Sequence, residues 1–349
     1  MPAQQERPLA GPASRPERGN RRARRTAALI ATFALAAVFT YLAVQGVHWH
    51  KAWQAVEHCN AWMLVPAFGA FVIQTLLRAM RWRSLFAPGR RPRRGPVIAA
   101  TLIGYLFNNI MPARAGEAAR VVSLTRDSPV PPAEIIGTVV VERAYDVFAV
   151  LLIFFCAVPW LPSVSWFGAA AVLAGVAAAG LAAVVAVLAI YGDRPLQWLA
   201  RPLARFPRLT AERVRHHVAL LADGLSGLRE HRVALEAFVW SIAAWMVTAV
   251  WAWCVLLAFH SNLPFSAGVL VTVAVGLSMI IPSPPAAVGV FEAAGVLALK
   301  AYGLSATAAL PCAVVLHVSN FVPLVLAGAI TLQFVARRPA RRARAATYT

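Results

Sequence analysis

Long apolar runs alternate with short arginine-rich segments along almost the whole chain. Thr26–Val47 is about 22 residues of nearly unbroken hydrophobics, and Ala61–Ala79, Ala133–Val158, Ser165–Tyr191, Val233–Phe259 and Thr307–Ala336 are comparable. Crossing the hydrocarbon core of a bilayer takes roughly 20 residues of helix, so the pattern predicts six full spans. The first run is too long for the roughly 7–15-residue core of a signal peptide and is expected to stay uncleaved. Two further apolar stretches are broken. Val97–Met111 is interrupted by Pro112 and Gly116, then runs through Val121–Leu124 to a polar turn, Thr125–Pro132. Phe265–Ile281 is interrupted by Pro282, Pro284 and Pro285, and the following run, Ala286–Tyr302, carries Gly289. Each stretch is read as a re-entrant hairpin, because Val97–Met111 is short for a crossing. Hydropathy alone is equally satisfied by seven or eight full spans.

The two broken stretches share a spacing. Pro112 precedes Gly116 by four residues, as Pro285 precedes Gly289, and Glu-Ala-Ala recurs at 117–119 and 292–294. Paired broken segments in opposite halves of a hydrophobic chain point to an inverted repeat with a site near the bilayer midplane. The expected fold is therefore an all-α polytopic membrane protein, with about six transmembrane helices and two re-entrant hairpins.

Composition supports this class. The 349 residues are 60% hydrophobic and 13% charged, with a mean hydropathy of +0.65. Soluble domains carry roughly 25% charged residues. A net charge of +19 in a soluble protein would suggest nucleic acid. Here the arginines flank apolar spans, in Arg7–Arg25, Arg78–Arg94, Arg194–Arg232 and Arg337–Arg344. That is the positive-inside pattern, and it excludes nucleic acid as the expected partner. It places both termini and all four clusters in the cytoplasm, with contact to anionic headgroups as a further role. Met1–Arg25 has no apolar content to bury and is expected to be disordered. Residues 26–336 form the membrane domain, and 337–349 are a second basic tail. Within 192–232 a cytoplasmic loop is expected. Its Leu209–Leu228 segment spaces apolar residues as an amphipathic helix on the inner leaflet or packed on the protein.

The charges that matter lie inside apolar segments. Glu142, Arg143 and Asp146 fall roughly 14–20 Å along the Ala133–Val158 helix, near mid-bilayer. Glu142 and Asp146 share a face, and Arg143 reaches Asp146 at i+3. A charge at the bilayer centre costs about 2.5–3.5 kcal/mol on insertion scales, so three on one helix require partners or a wet cavity. The first broken stretch offers Arg114, Glu117 and Arg120, giving a balanced set with Glu142, Arg143 and Asp146. Glu292 adds a carboxylate from the second stretch, with Lys300 as the nearest base in sequence. Asn108, Asn109, His317 and Asn320 add polar groups. One reading is an ion-pair network that only fixes helix packing. The other is a polar pocket in which Arg114, Arg120 and Arg143 hold phosphate oxygens, while Glu117, Glu142, Asp146 and Glu292 take an amine or move a proton. Arg78, Arg81, Trp82 and Arg83 are expected at the lipid headgroups. Cys156, Cys254 and Cys312 read as small core hydrophobes, and no Cys/His spacing suggests a metal. His48 and His50 form an H-x-H in an outside loop, read as solvated or interfacial. No cofactor is implied.

Asn109-Ile-Met-Pro112-Ala-Arg114-Ala-Gly116-Glu117-Ala-Ala-Arg120, then Glu142-Arg143-Ala-Tyr-Asp146, then Pro284-x4-Gly289-Val-Phe-Glu292, resembles the lysylphosphatidylglycerol synthase/flippase transmembrane family. The resemblance runs from about residue 27 to 336. At Pro284-Pro285 and Ala286-Ala287 this chain departs from it, because the family pattern is richer in Gly there. The resemblance implies a bacterial inner-membrane protein that moves lipids or lipid-linked precursors between leaflets. Bifunctional members carry a cytoplasmic aminoacyltransferase domain after the membrane part. Here the chain ends soon after Arg344, so aminoacyl-lipid synthesis is not expected.

Three functions compete. The first is a translocase for an anionic phospholipid or lipid-linked phosphate, using the charged midplane pocket. The second is an accessory subunit that positions a membrane synthase or glycosyltransferase through its basic loop and tails. The third is a membrane-embedded lipid transferase. It ranks last because no nucleotide-binding loop, metal motif or Ser-His-Asp arrangement is present, and enzymatic activity is not expected.

Overall fold

The computed structural model describes residues 45–111, 115–162, 230–279 and 285–337, with scattered positions in 30–43 and 172–180. The first span Thr26–Val47 and the fourth span Ser165–Tyr191 fall outside the described residues apart from those scattered positions and residues 45–47. The Leu209–Leu228 helix and the tails at 1–25 and 338–349 fall outside them entirely. Among the described residues all regular structure is helical.

Among the described residues nine α-helices follow in order. A short helix α1, Trp49–Glu57, precedes the long α2, Leu64–Ser84. The first broken stretch forms α3, Arg94–Ile110, and α4, Ala115–Asp127. Then come α5, Pro132–Ala157, and α6, His231–Ala258. The second broken stretch forms α7, Phe265–Ser278, and α8, Val290–Ala301. The last described helix is α9, Ala306–Ala336. Among the described residues three segments are long and apolar enough to cross a membrane: Ala61–Ser84, His231–Ala258 and Ala306–Ala336. At 26 residues, α5 has the length, but Glu134, Glu142, Arg143 and Asp146 break its apolar run. The limbs α4, α7 and α8 have 13, 14 and 12 residues. At 1.5 Å per residue, none of these three alone covers a hydrocarbon core of about 30 Å.

Membrane exposure is written on the outer faces. Val65, Phe68, Val72 and Leu76 on α2, and Val322, Leu326, Ile330 and Phe334 on α9, are large apolar side chains facing outward. Their spacing of three and four residues makes one stripe on each helix. A soluble protein rarely exposes such contiguous stripes; lipid covers them here. The interior is built from smaller contacts. α2 packs along α6, α7 along α6 and α8, and α9 against α3 and α8. A second, smaller core of Trp82, Phe86, Val97, Leu124, Ile135 and Val139 gathers where α2, α3, α4 and α5 meet.

The first hairpin is held by glycine contact. A Cβ on Gly116 would collide with the Gly104 carbonyl and stand 2.6 Å from the Asn108 side chain. The Asn108 Oδ1 accepts the Gly116 N–H at 2.9 Å, tying the end of one limb to the start of the other. Backbones this close leave no room for a side chain. Gly116→Ala is therefore expected to pry α3 from α4 and lower the thermal midpoint of the detergent-solubilised protein by several degrees. An unchanged midpoint would contradict the contact.

Two expectations are corrected. Arg81 and Trp82 are not at the headgroups: both are fully buried against α5 and its neighbours. Of the three span cysteines only Cys312 is core, whereas Cys254 is half-buried and Cys156 exposed. The reason for the first is tertiary. α2 continues to Ser84, past the apolar run that ends at Ala79, and its last turns are covered by α5.

Candidate functional site

The charged residues of α2, α4 and α5 meet in two tiers. The inner tier is sealed. Arg81 lies between both carboxylates of α5: its Nη2 donates to Glu142 Oε1 at 2.7 Å and to Asp146 Oδ2 at 3.2 Å, and its Nη1 to Asp146 Oδ1. Glu142 Oε2 accepts from Arg120 Nη2 at 2.8 Å. The Arg120 guanidinium lies 3.9 Å over the Trp82 ring, whose Nε1 donates to Thr138 Oγ1 at 3.1 Å. Trp245 Nε1 donates to Asp146 Oδ1 at 3.0 Å. Arg81, Arg120 and Glu142 are each at most 2% exposed. Charges removed this far from water persist only when paired and hydrogen-bonded, and here each is.

The outer tier is open. The Arg143 side chain is 42% exposed and stands 3.3 Å from Asp146 Oδ2, 3.6 Å from Glu142 Oε1 and 3.6 Å from Glu117 Oε1. Arg78 lies 3.9 Å from Asp146 and 4.4 Å over the Trp245 ring, and its Nε donates to Gln74 Oε1 at 2.7 Å. These longer separations leave guanidinium hydrogens available to another acceptor.

Both tiers border a cavity of about 450 Å³ that both broken hairpins help to line. Arg78, Asn109, Arg143 and Asp146 contribute from one side, and Ala286 and His317 from the second-hairpin side. That size falls in the usual range for small-ligand pockets, roughly 300–1,000 Å³, and suits a headgroup rather than acyl chains. In the two tiers Arg78, Arg81, Arg120 and Arg143 stand against Glu117, Glu142 and Asp146. On the cavity wall itself Arg78 and Arg143 stand with Asp146, and two arginines beside one carboxylate favour an anion there.

The second hairpin brings its own pair. Glu292 Oε2 accepts the Gly289 N–H at 2.7 Å and so caps α8, while Glu292 Oε1 meets His317 Nδ1 at 2.6 Å. The other ring nitrogen of His317 lies 2.8 Å from the Ala286 carbonyl. Its ring stacks on Phe291 with centroids 4.5 Å apart. Ala286 and Ala287 adopt left-handed backbone, φ 60° and 58°, beside Gly289 at 83°. Alanine in that region costs roughly 1–2 kcal/mol that glycine escapes. These are the positions where the sequence resemblance leads to an expectation of more Gly. The His317 link holds the strained turn against α9.

Of the residues singled out from sequence, Asn108, Asn109, Arg143 and Asp146 stand on the cavity wall. Glu117 flanks Arg143, and Arg120 and Glu142 lie in the sealed tier behind it. Glu292 sits behind His317, and its partner is that histidine rather than Lys300. Gly116 lies inside α4, Pro285 opens a short 3-10 turn, and Gly289 precedes α8. Arg114, Pro112 and Pro284 fall outside the described residues. Sequence reasoning missed Arg78 and Arg81 as partners of α5. A signal existed: Gln74, Arg78 and Arg81 are spaced i, i+4, i+7 and make one polar stripe on an apolar helix.

An all-α polytopic membrane protein with a charged cavity between two broken hairpins is the class these features define. Within it the chain belongs to the lysylphosphatidylglycerol synthase transmembrane family: the family's profile, described as the lysylphosphatidylglycerol synthase TM region, matches residues 29–328. It is a multi-pass integral membrane protein of a lipid-related family. No curated protein matches the chain significantly.

Proposed function

We propose that the protein is a translocase that carries an anionic phospholipid or lipid-linked phosphate between leaflets of the bacterial inner membrane, with both termini cytoplasmic. The observation that carries this reading is the cavity shared by two broken helical hairpins, with Arg78 and Arg143 on its wall. Broken helices at membrane depth expose backbone groups that only a polar cavity or protein can satisfy. Sealed charges of the inner tier hold the scaffold. The half-exposed Arg143 and its neighbour Glu117 release and recapture each other as a phosphate enters and leaves. The acyl chains stay in lipid while the headgroup passes through the cavity.

A translocase of this kind opens its cavity alternately to each face. In a background with Cys59, Cys156, Cys254 and Cys312 replaced, Asn109→Cys is expected to react with an impermeant thiol reagent from either side of a proteoliposome. Reaction from one side only would contradict alternating access.

A further inference from the structure

His317 faces an acceptor at each ring nitrogen. Its Nδ1 stands 2.6 Å from Glu292 Oε1, and its Nε2 stands 2.8 Å from the Ala286 carbonyl. The carbonyl has no hydrogen, so Nε2 must carry one. A nitrogen and an oxygen 2.6 Å apart also need a hydrogen between them, supplied by an imidazolium or by a carboxylic acid. Either way the pair holds one proton more than a neutral imidazole beside a carboxylate. With that proton the pair is neutral and both links stand. Without it the pair bears one negative charge, and one ring nitrogen meets a bare acceptor. The link at risk holds Ala286, whose backbone is left-handed. Among the described residues His317 is the only histidine that lines the cavity. The pair is not sealed: the His317 and Glu292 side chains are 10% and 15% exposed.

We infer that His317 and Glu292 form a proton-binding site on the cavity wall, so that the cavity takes up its anionic headgroup together with a proton. This rests on the proposed role of the cavity in holding that headgroup. The proton comes from water, binds the pair as the anion enters and returns to water as it leaves. Charge makes the connection. A round cavity of about 450 Å³ is about 10 Å across, and at an effective dielectric of about 20 one unit charge at that range alters an anion's affinity roughly tenfold. The neighbouring groups do not supply the same change. α2 brings Arg78 to the cavity, α3 Tyr105, and α5 Arg143 and Asp146. Both arginines stay charged at any physiological pH, and Asp146 is held by Arg81 and Trp245. On α9 itself Cys312 is an uncharged thiol bonded to the Ala308 carbonyl. α7 carries no charged residue, α6 carries His231, Arg232 and Glu236 in its first turns, and Lys300 of α8 is exposed two turns beyond Glu292. α1 reaches α9 at Thr307, through His48. Histidine is the side chain whose ordinary titration falls between about pH 5 and 8.

The test uses the purified full-length chain in detergent with short-chain phosphatidylglycerol, whose single phosphodiester stays ionised throughout. Affinity is measured from about pH 5.5 to about pH 8.5, spanning the histidine range. Wild type is expected to bind about tenfold more weakly at the alkaline end. By reciprocity, lipid binding draws about half a proton from weakly buffered solution at the middle of that transition. The two variants separate in opposite directions. His317→Gln keeps the carboxylate charge and should bind at the weaker, alkaline affinity over the whole range. Glu292→Gln removes that charge and should hold the tighter affinity at the alkaline end. A merely structural pair would weaken both. The lipid-free protein gives an independent reading: the histidine nitrogen-15 resonance lost in His317→Gln should move over the same pH range. A fixed resonance would overturn the proton site, as would wild-type affinity that ignores pH or a His317→Gln variant that keeps the wild-type pH dependence. A wild type that binds no phosphatidylglycerol while the resonance moves would overturn the coupling. Lipid binding with proton uptake but no lipid movement in vesicles would remove the translocase reading and leave the proton site standing.

Discussion

Arg81→Met is expected to cost the folded protein about 3–5 kcal/mol, the usual result of breaking one side of a buried ion pair. The methionine fills most of the space, so lost packing is a minor part. What remains is Glu142 and Asp146 facing each other across the site of a missing cation. Glu142 keeps Arg120 at 2.8 Å. Asp146 keeps only the longer contacts to Arg143 and Arg78 and the Trp245 indole. Thermal unfolding in detergent, or accumulation in the membrane, reads the loss. Pairing the change with Asp146→Asn removes matched charges and leaves the Arg120–Glu142 pair whole. The double variant should be more stable than Arg81→Met alone. If Arg81→Met folds with the stability of the wild type, the sealed tier is not the scaffold described above.

Arg143→Ala should do the reverse: translocation falls at least tenfold while stability shifts by less than about 1 kcal/mol. Two magnitudes decide this. Solvated ion pairs are worth roughly 0–1 kcal/mol, and the Arg143 pairs are 3.3–3.6 Å long on a side chain that is 42% exposed. A charge-assisted hydrogen bond to a bound phosphate is worth about 1.5–3 kcal/mol, or one to two orders of magnitude in affinity. Glu117→Gln should follow Arg143→Ala, since it removes the partner that holds the arginine between cargoes. Loss of folding in both variants would make the outer tier part of the structural network instead.

The sequence made some of this legible and hid the rest for physical reasons. Breaks at 112–116 and 282–289 stood out because Pro and Gly interrupt apolar runs, and α3 does end at Ile110 and α7 at Ser278. Glu142 and Asp146 stood out because charges inside a 26-residue apolar helix are costly. Arg81 did not, because it lies in a stretch of seven arginines from 78 to 94 that the positive-inside rule already accounts for. Whether such an arginine faces headgroups or a neighbouring helix depends on how α2 packs on α5, 61 residues away in sequence. The His317–Glu292 pair joins two helices 25 residues apart, with no local spacing to reveal it.

Lipid movement in proteoliposomes tests the central claim most directly, with wild type and Arg143→Ala reconstituted at equal folded amounts. Anionic, aminoacylated and polyprenyl-phosphate probes are offered separately. The account predicts that wild type moves at least one phosphate-bearing probe and that Arg143→Ala loses most of that rate. A well-folded wild type that moves none of the three, or an Arg143→Ala variant that keeps the full rate, would contradict it.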